Sequence, residues 1–229
     1  MTETSAYSPI CMVYSKMTLK EIEVLFTSVG GSASAYGTMR IVRVKDPKGT
    51  WQDTNRTIVL INEPLYNTLI DLGYDKPVRS PDRPNTDFRI VPYGVRESNL
   101  PKEGLKKDLF IRIPKESSFT VQEVHKTIED KLQPLVNFGV LAANDYRVNI
   151  PLRNMNRETG VVSGSCFLSF SPSVTPTQAA QVKAVIDDTY WSDGETFNCY
   201  WARDTKVAGA TSDAPVQPKK LWVKKNTAE

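Results

Sequence analysis

Residues 156–170 read NRETGVVSGSCFLSF, and their reading decides the fold. A polar turn through Arg157, Glu158, Thr159 and Gly160 runs directly into an alternating strand over 161–170. Side chains along a strand point to opposite faces in turn, so Phe167 falls on one face and Phe170 on the other. Rings on both faces are what a sheet needs when one side is core and the other is a contact surface.

The flanking segments supply the rest of a unit. Upstream, 109–113 is a short apolar strand. Thr120 and Glu123 then form a capping box, in which hydroxyl and carboxylate satisfy the free amides at a helix start. Val121, Val124, Ile128 and Leu132 follow at helical spacing, and Pro134 is expected to kink or end that helix. Over 146–150 the pattern alternates, with Val148 and Ile150 facing in and Arg147 and Asn149 facing out. Downstream, Thr175-Pro176-Thr177-Gln178 opens a last helix with proline in its first turn, where the missing amide costs nothing. Ala179, Val182, Val185 and Ile186 make its buried stripe, and Asp193-Gly194 turns the chain into a closing strand over 197–203. The order is β-α-β-β-α-β.

The N-terminal half repeats that order. A strand over 10–14 precedes a helix capped by Thr18 and Glu21, striped by Leu19, Ile22, Leu25 and Phe26, and stopped by Gly30-Gly31. A strand over 38–45 ends at the turn Asp46-Pro47-Lys48-Gly49. The β-branched run TIVLI, 57–61, fits a central strand, a helix spans 63–72, and a last strand spans 88–93. Between them, 76–86 carries three prolines with Arg79 and Arg83 and reads as a long exposed loop. The fold class is therefore α+β with two ferredoxin-like units: 1–96, a linker at 97–107, 108–204, and a basic tail at 205–229. In the first unit Cys11 or Met12 stands where the second has Phe110, so its sheet carries no ring platform and serves as scaffold or protein contact.

The second unit resembles the RNA recognition motif, whose long signature runs Lys/Arg, Gly, aromatic, Gly/Ala, aromatic, aliphatic, any, aromatic. The matching octet is Ser163, Gly164, Ser165, Cys166, Phe167, Leu168, Ser169 and Phe170. The short signature on the first strand is similar to Leu109-Phe110-Ile111-Arg112-Ile113-Pro114, and Arg157 to Gly160 is similar to the loop that precedes the octet strand. Ser163 departs from the cation of the pattern and Ser165 from a ring. The resemblance spans roughly 105–204 and implies a four-stranded antiparallel sheet backed by two helices, with Phe110 and Phe167 at stacking positions. One open face would then collect Phe110, Phe167 and Tyr200 with Arg112, Arg147 and Asn149: rings for bases, cations for phosphates and an amide for base edges. Lys106 and Lys107 in the linker, and Lys219, Lys220, Trp222, Lys224 and Lys225 in the tail, extend the set. The expected partner is single-stranded RNA or DNA, or a nucleotide. The alternative is a protein-binding adaptor or structural protein, if another segment covers those rings. An N-terminal half without a motif, fused to such a unit, also looks like a protein of a large DNA virus.

Composition bounds the remaining classes. The 229 residues carry a net charge of +3, and 24% are charged, as in ordinary globular proteins. In the tail Lys206, Lys219, Lys220, Lys224 and Lys225 against Asp213 and Glu229 account for the whole excess. No apolar run approaches bilayer length and the start MTETSAYSPI lacks a signal-peptide pattern, so a soluble intracellular chain is expected. Cys11, Cys166 and Cys199 have no metal or redox spacing and read as reduced buried thiols. His125 is the only histidine, and no nucleophile elbow, P-loop, dinucleotide fingerprint or HExxH is present, so binding without catalysis and without a cofactor is expected.

Overall fold

The computed structural model describes residues 7–77 and 87–203. The loop with Arg79 and Arg83, and the tail with Lys206, Lys219, Lys220, Trp222, Lys224 and Lys225, lie outside the described residues.

The first unit runs β1 (Ile10–Ser15), α1 (Leu19–Ser28), β2 (Tyr36–Lys45), β3 (Trp51–Ile61), α2 (Glu63–Asp71) and β4 (Phe88–Pro92). Its antiparallel sheet has the order β2-β3-β1-β4, which places the TIVLI run centrally as its β-branched residues require. The box at Thr18 closes: Glu21 N–H donates to Thr18 Oγ1 at 3.3 Å, and Thr18 N–H donates to the Glu21 carboxylate at 2.7 Å. β3 begins at Trp51, well before the apolar run. Its residues 51–56 are mostly exposed, because this half of the β2–β3 hairpin projects past the core and is held by strand pairing with side-chain contacts such as Thr54 Oγ1 to the Val42 carbonyl and Lys45 over the Trp51 ring.

The second unit comprises β5 (Leu105–Arg112), α3 (Val121–Asn137), β6 (Tyr146–Asn149), β7 (Ser165–Phe170), α4 (Pro176–Ile186), β8 (Thr189–Tyr190) and β9 (Thr196–Arg203). Its order β6-β7-β5-β9-β8 repeats the first sheet and adds a fifth strand to the four expected. β8 has two residues and pairs only with Thr196 and Phe197 of β9, too short a stretch for any alternation to show. β7 is shorter than 161–170 because Gly164 takes φ +87°, which breaks the extended chain. Val161 and Val162 instead make isolated bridges to Thr120 and Met155. Pro134 does not end its helix: α3 continues to Asn137, and Phe138 N–H still reaches the Pro134 carbonyl at 3.0 Å. β5 begins inside the stretch read as linker.

Two cores result. Cys11, Val13, Val59 and Ile61 face Ile22, Phe26, Leu65 and Leu69 between the first sheet and its own helices. The opposite face of that sheet, Ile10, Met12, Ile58 and Leu60, joins the core of the second unit with Leu109, Ile111, Val124, Leu132 and Val182. Helices α3 and α4 thus lie between two sheets, and the layers run α1/α2, first sheet, α3/α4, second sheet. Approach is close at Gly37, where an added Cβ would sit 3.0 Å from the Phe138 ring. Each fully buried aliphatic side chain of this interface contributes about 1.5–3 kcal/mol. This face of the first sheet, with no aromatic row across its middle, is therefore a contact surface, and what it contacts is the back of the second unit.

A polar clamp fixes the edge of that contact. Arg40 donates to the Ala184 carbonyl at 2.6 Å and lies 3.7 Å from the Asp188 carboxylate, while Arg43 Nε donates to Asp188 Oδ2 at 2.9 Å and a second Arg43 nitrogen pairs with Oδ1. The Arg40 and Asp188 side chains are 15% and 14% exposed, so each charge depends on the other's presence. Burial pulls the Arg40 guanidinium down, with Asp188 and Asp187 opposing, whereas the bond to Asp188 pushes Arg43 up. Asp188 holds φ +58°, a conformation asparagine also tolerates. Asp188→Asn, which keeps the backbone and removes the charge, is expected to lower stability by about 3 kcal/mol in urea unfolding. An unchanged midpoint would show that the clamp contributes nothing to holding the layers.

Candidate nucleic-acid interface

The outer face of the second sheet carries the aromatic set. Phe110 on β5 stands opposite Phe167 on β7 and, on its other side, opposite Tyr200 on β9, while Phe167 stands opposite Asn149 on β6. The four residues therefore form one row across four neighbouring strands. Ring centroids are 5.6 Å apart for Phe110 and Phe167 and 6.3 Å for Phe110 and Tyr200. The same alternation sends Cys166, Leu168 and Phe170 of β7 into the core and leaves Ser165, Phe167 and Ser169 half-buried on the face. Tyr200 is 51% exposed, Phe110 and Phe167 are half-buried, and neither phenylalanine belongs to either core.

The cations flank this row on opposite sides. Arg112 lies two residues along β5, opposite Ser165 and Asn198, and Arg147 lies two residues along β6, opposite Ser169. Two strand residues span about 6.8 Å, so each guanidinium is anchored one step from the rings. Both arginines are exposed. Asn149 Nδ2 donates to Ser169 Oγ at 3.2 Å, which steadies the amide beside Phe167. Asp108, the carboxylate nearest in sequence, accepts the Phe170 N–H at 3.1 Å.

Other expected site residues fall elsewhere. Lys107 donates to the Ser171 and Val174 carbonyls at 2.5 and 2.6 Å, because its position shares the parity of Leu109 and Ile111 and directs it to the helix side. Its charge fastens the turn before α4 and does not reach the ring row. Lys106 is half-buried and already engaged. His125 sits half-buried on α3, and among the described residues no group of three His, Cys, Asp or Glu side chains is placed to hold a metal.

Sequence reading missed a second basic surface between the units. A cleft of about 550 Å³ is lined by Arg40, Arg43, Arg56, Arg96 and Lys183, with Tyr14, Tyr93 and Trp201 among its walls. The signal was parity: Tyr14 continues the Ile10 and Met12 face of β1, and Arg56 continues the Ile58 and Leu60 face of β3. Each was hidden in a strand whose other residues are apolar or whose polar half looked like loop.

No protein-family model matches the chain, and no curated protein matches it. Among solved structures it is similar to an Sxl-lethal protein/RNA complex, at 14% identity and TM-score 0.28, covering 86% of this chain and 100% of that one. It is similar to the first two RRM domains of yeast poly(U)-binding protein Pub1, at 15% identity and TM-score 0.29, covering 85% of this chain and 99% of that one. A complex of Cas6 with a substrate mimic matches at 17% identity and TM-score 0.32, covering 84% of this chain and 100% of that one. A viral origin finds no support in these structures. The assignment of two ferredoxin-like units, the second RRM-like, rests on the chain's own element and strand order. Among the described residues no helix is long and apolar enough to cross a membrane.

The three cysteines are free and buried, and burial pushes the thiols of Cys11 and Cys166 up to about 12 and that of Cys199 well above its ordinary value. A raised thiol pKa leaves the unreactive neutral form at mild alkalinity. At about pH 8, where an unfolded thiol of pKa about 8.5 is partly ionised, a disulfide reagent is expected to titrate the thiols only after denaturation. Rapid titration of the native protein would contradict the packing described.

Proposed function

We propose that this protein binds single-stranded nucleic acid, RNA or DNA, on the outer face of its second sheet, without carrying out chemistry on it. The observation that carries the reading is the row Asn149, Phe167, Phe110, Tyr200 with arginines on both flanks. Bases offer flat π faces to such rings, and each stacked base is worth about 1–3 kcal/mol. Arg112 and Arg147 meet the phosphates, and Asn149 offers an amide to a base edge. Ser165, where the family pattern has a ring, removes one stacking position and limits the row to three. Lys219, Lys220, Trp222, Lys224 and Lys225 add sequence-independent affinity from the tail. Buried free thiols suit a reducing intracellular setting.

Phe110→Ala combined with Phe167→Ala, in a protein whose circular dichroism is unchanged, is expected to weaken binding of a single-stranded oligonucleotide by about 2–6 kcal/mol, roughly thirtyfold or more. Fluorescence anisotropy at two ionic strengths reads both this weakening and the salt dependence that phosphate binding imposes. Binding that survives the double substitution removes the sheet as the site and leaves the tail. A chain that binds no oligonucleotide, yet captures a protein through the same two phenylalanines, would be the adaptor instead.

A further inference from the structure

The cleft between the units gathers positive charge that internal pairing among the described residues does not consume. Its cationic lining is Arg40, Arg43, Arg56, Arg96 and Lys183, and Asp187 is the sole carboxylate in the lining among the described residues. Asp188 is shared by Arg40 and Arg43. Asp187 is held by Lys183 and by the Cys199 N–H at 2.8 Å. Arg56 and Arg96 meet no carboxylate among the described residues. Asp53 stands opposite Arg43 across the β2–β3 pair, so among the described residues three carboxylates face five cations and the two charges left over are those of Arg56 and Arg96. Tyr93 lines the same cleft: burial raises its phenol, and Arg40, a hydrogen bond with Asn99, Arg96 and Arg56 pull it back. Like charges held together in a partly desolvated cleft repel one another and raise local anion concentration, which is the electrostatic character of a phosphate site.

The rim points to nucleic acid as the source of the phosphates. Trp51 and Tyr190 are 49% and 55% exposed, and the Arg43 guanidinium lies 5.7 and 5.6 Å from their ring centroids. Open rings beside a basic cleft offer stacking surfaces that a bare inorganic anion would not use. The cleft lies around the β9 edge from the ring row: Tyr200 ends that row on the outer face, Trp201 alternates to the inner face opposite Leu109 and lines the cleft, and β8 covers β9 only at Thr196 and Phe197. Among the described residues, the sheet edge between row and cleft is therefore not closed by another strand.

We propose that this cleft is a second site that holds consecutive phosphates of the single strand whose bases lie on Phe167, Phe110 and Tyr200. It rests on the function proposed above, and it assigns Arg56 and Arg96 as its principal phosphate ligands, since among the described residues neither meets a carboxylate.

The test uses the full chain and Arg56→Gln with Arg96→Gln, two residues outside the clamp that joins the layers. Binding is measured for an oligonucleotide of about four nucleotides, which covers the ring row alone, and for one of about twelve, which reaches beyond it. The double variant is expected to leave the short ligand's affinity unchanged, to weaken the long one about tenfold, and to reduce the long ligand's salt slope by about 1.4, about 0.7 for each phosphate that an arginine no longer neutralises. Unchanged affinity and slope for the long ligand overturn the cleft while leaving the ring row standing. If the unsubstituted protein binds neither ligand, the ring-row function has failed, and inorganic tripolyphosphate becomes the probe. Thermal stabilisation by tripolyphosphate that the double variant loses then keeps the cleft as a polyphosphate site. Stabilisation that is absent, or that survives the substitutions, overturns it.

Discussion

The burial of one sheet face against the other unit's helices is the constraint on which the rest depends. Ile10, Met12, Ile58 and Leu60 alternate with residues that serve the first unit's own core, so both faces of that sheet are apolar where they cross its middle. A sheet apolar on both faces needs a layer on each. Helices α1 and α2 cover one side. The other side is covered by the outward side of α3 and α4, where Ala184 and Phe138 present small or flat side chains.

That choice divides the labour between two units of the same strand order. Corresponding faces have opposite fates: the first is packed away, and the second, carrying Phe110, Phe167 and Tyr200, becomes the outermost layer. It also creates the cleft, because the helices cover the first sheet only where its residues are apolar. Tyr14, Arg40 and Arg56 lie where apolar residues give way to polar ones on that face, and the gap forms there. The Asp188 carboxylate, shared by two arginines from β2, marks the edge at which packing stops and charge begins.

Much of this was legible in the residues. The capping boxes at Thr18 and Thr120 each close as their spacing demands, since such a box is a local exchange of hydrogen bonds needing nothing from the rest of the fold, and the helix start read at Thr175 closes a third with Gln178. The row of rings was legible too, because alternation along β5, β7 and β9 fixes the face of every residue once one is known. What escaped lacks a local signal. The exposed first half of β3 and the two-residue β8 are held by partners distant in sequence, and Pro134 costs α3 only the one bond its missing amide would make to the Asp130 carbonyl, while the rest of the helix continues to Asn137. Lys107 is the exception, since its parity with Leu109 already directed it away from the rings. The cleft was beyond any single-segment reading: its arginines come from β2, β3 and the chain after β4, and only the docking of the units brings them together.

The layering has a consequence for what counts as a domain here. A connecting stretch near residue 100 divides the chain into two complete topologies, yet neither is complete in its thermodynamics. Cleaving the chain there and pulling the halves apart would strand an oily β-surface on one fragment and a bare pair of helices on the other. The smallest body with its apolar faces sealed is therefore the whole stack, and the seam visible in the sequence marks where one strand order ends and the next begins, not a line along which the chain comes apart.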